Sequence, residues 1–180
     1  MVNELSFQLD FNENQSFYSM QSKLYSDEFM AKGASMLVRF SGNIYKHNNM
    51  ICSDVKGSPL FKKDWLEIDY NTNWEITQET KKINDFVVYK AKGTYREGNN
   101  VAGYKTMEAT AWFCPKIPLP HGPLNFGGLP GLIFELNLDT ATYGLKSIEF
   151  KNVNLPEVKL EDIISMEEAD KITEEFLNNR

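Results

Sequence analysis

The chain has 180 residues, of which 42% are hydrophobic and 13% aromatic, as is typical of one globular domain with a sizeable core. Its net charge is −6 and its basic residues are scattered, which argues against a nucleic-acid partner and against an anionic membrane surface. No apolar run reaches the roughly 20 residues of a membrane span, and residue 1 opens no export signal, so such a signal is absent or was removed. We expect one domain over residues 1–180.

Alternating apolar and polar residues predict β-strands through most of the chain. In the first half we expect turns at 12–14 and 48–49, a short helix at 26–33, and strands at 5–11, 15–21, 36–46, 50–55, 65–70, 74–77 and 82–95. In the second half we expect turns at 97–100 and 139–142, and strands at 104–113, 132–138 and 146–151. The connections are too short for parallel crossovers, so the strands should be antiparallel.

The C-terminal tail has a helical pattern. Ser165 and Glu168 have the spacing of a capping box, and apolar residues then recur at helical intervals at Ala169, Ile172, Phe176 and Leu177. We predict a helix at about 165–178 that packs on the sheet. The predicted fold class is mainly β: a strongly curved antiparallel sheet or incomplete barrel with a C-terminal helix.

A stretch rich in glycine and proline, HGPLNFGGLPGLIFEL, occupies residues 121–136. A phosphate loop needs Lys and then Ser or Thr after its last glycine, whereas Leu132, Ile133 and Phe134 follow here. Pro130 and Gly131 suit the two central positions of a type II turn, with positive φ at Gly131. We therefore predict a corner that aims a buried strand. Four prolines deny amide donors to the preceding extended crossing: Pro115, Pro118, Pro120 and Pro123.

These residues resemble the GLPGLI family of bacterial proteins, over about residues 74–150. The motif positions, which we expect to be structural, are Lys81, Ala91, Pro115, Pro118, Gly122, Pro123, Gly128, Leu129, Pro130, Gly131, Leu132 and Ile133. The resemblance implies a small exported protein of unassigned function, periplasmic or secreted, whose signal peptide was removed. Many relatives carry a cysteine near the position of Val88, and this chain does not. A disulfide inferred from the family is therefore not carried over.

The two cysteines, Cys52 and Cys114, leave two alternatives open: a disulfide, or two buried thiols. With His47 and His121 they also make a two-cysteine, two-histidine set. Its spacings are not those of the usual zinc pairs, and unrelated histidines are the simpler interpretation. We expect no metal and no cofactor.

No complete catalytic motif is present. The sequence lacks the Gly-x-Ser-x-Gly elbow of the α/β-hydrolases. A hydrolase using His121 with Cys114 or a carboxylate is kept as an alternative. Glu67 and Asp69 would lie about 7 Å apart on one strand face, a separation that suits a glycosidase, but a solvated strand face explains them more simply.

Aromatic residues near the corner are the better candidates for ligand binding: Trp74, Trp112, Phe113 and Phe126. If the helix packs on the face that holds Ala109 and Ala111, Trp112 lines the opposite face. We expect a non-catalytic cell-envelope protein that binds an apolar or peptide ligand, or that docks on an outer-membrane transport or assembly partner. A structural adaptor that pairs through an edge strand is a further alternative. The oligomeric state is left open.

Overall fold

A computed structural model describes residues 5–21, 42–69, 72–99, 103–139 and 141–179. It confirms the mainly β class with a C-terminal helix. The strands are β1 (Phe7–Phe11), β2 (Gln15–Met20), β3 (Ile44–His47), β4 (Met50–Asp54), β5 (Trp65–Glu67), β6 (Asn73–Ile83), β7 (Phe86–Asn99), β8 (Gly103–Cys114), β9 (Leu132–Asn137), β10 (Thr142–Gly144) and β11 (Ile163–Ile164). A 3₁₀ turn (Leu160–Asp162) precedes β11, and the helix α1 (Met166–Asn178) follows it.

The first sheet has the order β1-β2-β3-β4-β5-β11. The predicted turns at 12–14 and 48–49 are confirmed, and Asn48 takes a left-handed φ of 52°, which asparagine tolerates. All the pairs in this sheet are antiparallel except the last, in which β11 runs parallel to β5. The expectation of a purely antiparallel meander is therefore wrong at this edge, because the chain returns there after a long connection. The helix predicted at 26–33 and the start of the strand predicted at 36–46 lie outside the described residues.

The second sheet has the order β10-β9-β8-β7-β6. One strand was predicted over 82–95, but β6 and β7 form a hairpin that turns at 84–85. Asn84 makes this turn possible with a φ of 51°. The turn predicted at 97–100 is also wrong, because Glu97, Gly98 and Asn99 continue the β7–β8 ladder.

The main core lies between the two sheets. Ala91, Ala109 and Ala111 of the second sheet belong to the same buried cluster as Ile44 and Ile51 of the first. Small alanines let the facing layers approach closely. The alanine face is thus covered by the other sheet and by the β8–β9 connection, and not by the helix as we had supposed.

A second buried cluster lies on the opposite face of the second sheet. Along β8, Ala111 and Phe113 belong to the main core, whereas Cys114 belongs to this second cluster, together with Val88 and Phe134. The alternation follows from the period of two along a strand. Leu9 of β1 packs against both clusters. Through Leu9, β1 therefore contacts the buried clusters on both faces of the second sheet.

The helix is confirmed with its predicted cap. Ser165 precedes it, and its Oγ accepts a hydrogen bond from the backbone N–H of Glu168 at 3.2 Å. Ala169 is the one buried helix residue among those described, while Phe176 and Leu177 are 41% and 46% exposed. The helix therefore covers only a small part of the first sheet. In the described part of the chain, no helix combines the length and apolarity that a membrane span requires.

The strand predicted at 146–151 is absent. Residues 145–159 have no regular secondary structure, although Ile148 and Phe150 alternate with polar residues as they would in a strand. A strand needs hydrogen bonds to a neighbour as well as the right alternation. Among the described residues, no strand pairs with this segment.

Candidate functional site

The crossing, residues 115–131, connects β8 to β9 and is fixed by its own backbone. The N–H of Ile117 donates to Cys114 O at 3.1 Å, and Ile117 O accepts from the N–H groups of Leu119 and Leu132 at 2.8 and 2.9 Å. The crossing sends three buried side chains into the main core: Leu124, Phe126 and Leu129. The crossing is therefore an ordered segment that covers part of the core. Its prolines occupy positions at which the backbone does not need an N–H donor.

The corner at the end of the crossing differs from the predicted turn. Positive φ falls on Gly128, at 76°, and not on Gly131. The N–H of Gly131 donates to Leu129 O at 2.8 Å, which makes a three-residue turn around Pro130. The type II prediction was therefore wrong. Gly131 is needed for space, because a Cβ there would strike the carbonyl oxygen of Cys114 on β8.

The corner aims a strand, as predicted. Leu132–Asn137 forms β9, and its first three residues are buried. The N–H groups of Gly128 and Gly131 already donate to Pro120 O and Leu129 O. Two amides that an anion would need are thus committed to the chain itself.

His121 ties the crossing to the other sheet. Its side chain is 2% exposed, and Nε2 lies 2.9 Å from the backbone oxygen of Asn12 in the β1–β2 turn. Nε2 must donate this bond, which leaves Nδ1 as a buried acceptor without a hydrogen-bond partner. Burial lowers the pKa of His121, and the charge of Lys46 lowers it further, against the opposing effect of the Asn12 bond. The ring is therefore held neutral.

A long open groove runs beside β1. One wall is residues 5–13, the other is residues 141–153, and Leu132, Ile133 and Phe134 of β9 lie between them. The groove has a volume of about 2300 Å³. That exceeds the roughly 300–1,000 Å³ of sites for small molecules and suits an extended ligand.

The β1 wall is fixed at both ends. At one end, the Phe7 ring stacks on Tyr18 at 5.3 Å between centroids and meets Tyr143 of β10 at 5.7 Å. At the other end, His121 holds Asn12, and the ring centroids of His121 and Phe11 lie 6.1 Å apart. A wall held in this way is preorganised, which lowers the entropic cost of binding.

The groove is amphipathic. Its apolar lining includes Phe11, Leu119, Pro123, Phe134, Ile148 and Phe150. Phe150 is 73% exposed, so most of a phenyl ring stands in solvent on the 141–153 wall. Exposed aromatic rings at the edge of a concave surface are typical contact residues in binding sites.

Two of the four aromatic residues predicted to bind ligand, Phe113 and Phe126, lie in the main core, and a third, Trp74, packs against it. Phe113 and Phe126 are 2% and 4% exposed. Trp74 packs on Phe126, with ring centroids 6.3 Å apart, and its Nε1 donates to Gly127 O at 2.9 Å. None of these side chains is among the residues that line the groove in the described part of the chain.

Trp112 lies on the opposite face of the second sheet, as its alternation with Ala111 predicts. Lys81 Nζ is 4.3 Å from the centroid of its ring and donates to Glu135 Oε2 at 2.7 Å. Burial raises the pKa of Glu135, but hydrogen bonds from Asn137 and Lys81, with the Lys81 charge, together hold it below its ordinary value. Lys81 thus joins β6 to β9 through an ion pair.

The cysteines are free thiols, and each is 0% exposed. Burial, with a smaller effect of the Glu67 charge, raises the pKa of Cys52 to about 11. Cys114 makes no hydrogen bond with His121, since Nε2 is occupied by Asn12 and Nδ1 has no partner. Within the described ranges, no three His, Cys, Asp or Glu side chains are grouped so as to hold a metal ion.

Sequence reasoning missed the residues that build the groove. Phe150 was assigned to a strand face, and β1 was described only as half-buried. The signal that could have identified them is the strand-like alternation of 146–151, a segment that no described strand accompanies.

Comparison with known proteins gives a family-model match over part of the chain. No curated protein and no solved structure matches the chain significantly. A model of a bacterial protein family described as "Protein of unknown function (Porph_ging)" matches residues 96–135, which include the end of β7, all of β8, the crossing and most of β9. Over these residues the chain is therefore similar to a bacterial family whose function is unassigned.

Proposed function

We propose that this chain is a non-catalytic binding protein that holds an extended, partly apolar ligand in the groove between β1 and residues 141–153. The observation that carries the proposal is Phe150, whose ring is 73% exposed on the wall of an open groove of about 2300 Å³. When a ligand covers a solvent-exposed phenyl ring, the binding free energy becomes more favourable by roughly 25 cal/mol per Å² of apolar surface removed from water.

The same groove explains why the core aromatics are better regarded as scaffold. Phe113 and Phe126 are already removed from water, so a ligand would gain nothing by covering them. Phe11, Ile148 and Phe150 line a surface that a ligand can reach. This favours binding along β1 over binding on the opposite face near Trp112.

The cellular setting is also a proposal. The Gly128–Ile133 motif and the proline-rich crossing resemble the GLPGLI family, whose members are mostly exported. We infer a periplasmic or secreted protein that serves an envelope partner, such as an outer-membrane transporter or an assembly factor. The family-model match over residues 96–135 is compatible with this setting and does not name a ligand.

The test is native mass spectrometry of protein purified from its own host, wild type beside two surface variants. Phe150→Ser removes the groove ring, and Leu160→Ser removes a side chain that is 77% exposed and lies outside the groove lining. We expect a co-purifying mass on the wild type and on the Leu160 variant, and its loss from the Phe150 variant. Empty wild-type protein, or a mass retained equally by all three, would contradict the proposal.

A further inference from the structure

The open edge of β1 carries backbone groups that point away from β2. Asn12 N–H donates to Gln15 O at 2.9 Å, and Gln21 N–H donates to Ser6 O at 2.8 Å. In an antiparallel ladder, hydrogen-bonded residues alternate along each strand. Gln8 and Asp10 therefore face β2, and Leu9 and Phe11 direct their N–H and C=O groups to the other side.

That other side is the groove. Among the described strands, β1 ends its sheet, and residues 5–13 all line the groove. Among the described residues, no backbone group bonds to the amide or carbonyl of Leu9 or Phe11. A lipid tail cannot use such a row of donors and acceptors, whereas another extended backbone matches it.

The charge at this edge of β1 indicates the charge of the partner residue that would lie beside it. Asp10 lies between Leu9 and Phe11, and its side chain is on the opposite face of β1 from theirs. Its carboxylate accepts two hydrogen bonds from Gln8 Nε2, at 2.9 and 2.8 Å, and none of the described cations forms an ion pair with it. Across the groove, Lys151 pairs with Glu149 at 2.8 Å. The hydrogen bond and the charge of Glu149 raise the pKa of Lys151, and the charge of Asp10 raises it slightly further. The β1 side is thus left acidic.

Building on the proposed function, we propose that the occupant is an extended polypeptide segment of a partner protein, which adds to the first sheet as a strand beside β1. Residues that face each other across two strands have their side chains on the same face. The partner's residues opposite Leu9 and Phe11 are therefore apolar and cover Ile148, which is only partly buried. The residue opposite Asp10 is Lys or Arg. The partner sequence is apolar–basic–apolar.

The experiment selects random nine-residue peptides on the intact chain by phage display. We expect the enriched peptides to share the apolar–basic–apolar pattern. A synthetic copy of one of them should bind about fivefold or more weakly to Asp10→Lys, and should recover when its basic residue is changed to Glu. Glu75→Lys, an exposed charge reversal outside the groove lining, should leave the affinity unchanged.

Hydrogen exchange supplies the second readout, because strand addition protects particular amides. The peptide should slow exchange at Leu9 and Phe11 by about tenfold or more. The amides of Gln8 and Asp10 should change little, since β2 already protects them. Binding that leaves the Leu9 and Phe11 amides unprotected, or that ignores Asp10→Lys, would overturn strand addition and leave the binding groove intact.

The remaining outcomes separate this inference from the proposed function. If no peptide is enriched but the neutral dye Nile red binds in a manner that depends on Phe150, strand addition is overturned and the groove still binds. If neither peptide nor dye binds, both proposals are overturned. A wild-type dimer that Asp10→Lys dissociates would assign the edge to a second copy of the chain and overturn the peptide partner.

Discussion

His121 Nε2 donates a hydrogen bond to the backbone oxygen of Asn12 over 2.9 Å, and 109 positions of sequence separate the two residues. The bond joins the β8–β9 crossing to the β1–β2 turn. The bond therefore connects the crossing, whose corner leads into β9, with β1, which forms one wall of the groove. A histidine that the sequence presented as a candidate base is, in the structure, a positioning residue.

This bond predicts a dependence of stability on pH. The folded state lowers the pKa of His121 below its ordinary value of 6.5, so the unfolded chain binds the proton more readily. His121 should stabilise the fold fully above pH 6.5. The contribution should be lost as the pH falls from 6.5 through the lowered pKa, by at most about 1.4 kcal/mol per pH unit.

Urea unfolding at pH 7.5 and 5.5 measures this effect, with His121→Gln as the variant that cannot titrate. The wild type should lose more free energy of unfolding between the two values than the variant does. Equal losses would show that His121 does not titrate with unfolding in this range.

The corner predicts a steric effect at one glycine. Gly131→Ala places a Cβ against the Cys114 carbonyl oxygen, which belongs to rigid strand backbone. We expect a loss of about 1–3 kcal/mol in the free energy of unfolding. Gly144→Ala is the control, since nothing lies within 4 Å of its added Cβ. Chemical denaturation of both variants decides, and equal stability of the two would remove the close approach as the reason for glycine at 131.

We expect Lys81 to stabilise the fold modestly through its contacts with Glu135 and Trp112. Lys81→Met removes both the ion pair with Glu135 and the contact with the Trp112 ring, at a cost of about 1 kcal/mol. Because the pKa of Glu135 is lowered in the fold, the ion-pair part should be present above pH 4.5 and vanish as the pH falls through the lowered value. Thermal unfolding at pH 7 should show a larger effect than Lys82→Met, which changes an exposed neighbour. Indistinguishable melting temperatures for the two variants would refute the assignment.

Because both cysteine thiols are buried, we expect them to react slowly with alkylating reagents. A thiolate is the reactive form, and the pKa of Cys52 of about 11 keeps that thiol protonated at pH 8. We expect iodoacetamide to modify neither cysteine in the folded protein and both after unfolding in urea. Mass spectrometry counts the adducts, and rapid modification of Cys114 at pH 8 would favour the alternative of a reactive cysteine.

The sequence predicted much of the fold because its elements are locally encoded. The Ser165 cap is a contact over three residues, and the 48–49 turn joins adjacent strands. The hairpin at 84–85 was missed, since Asn84 and Asp85 sit within an otherwise strand-like run and lack a glycine. The pairing of β11 with β5 was missed for a different reason: partners about a hundred residues apart leave no local signal.

The candidate site was harder to predict, because it depends on what lies beside each element. Alternation at 146–151 correctly indicates a segment with two unlike faces. Only the folded chain shows that none of the described strands pairs with it. Likewise, the glycine pair 128 and 131 was identified as a corner. Which of the two needs positive φ, and which needs space, depends on the neighbouring β8 backbone.

Photo-crosslinking inside the native host is the most direct test of ligand binding in the groove between β1 and residues 141–153. A benzoyl-phenylalanine replaces Phe150 in one variant and Leu160 in a second, and the adducts are read by mass spectrometry after irradiation. A ligand that occupies the groove should give a defined adduct at position 150 and none at position 160. The absence of any adduct at 150, or the same adduct at both positions, would contradict a ligand-binding groove between β1 and residues 141–153.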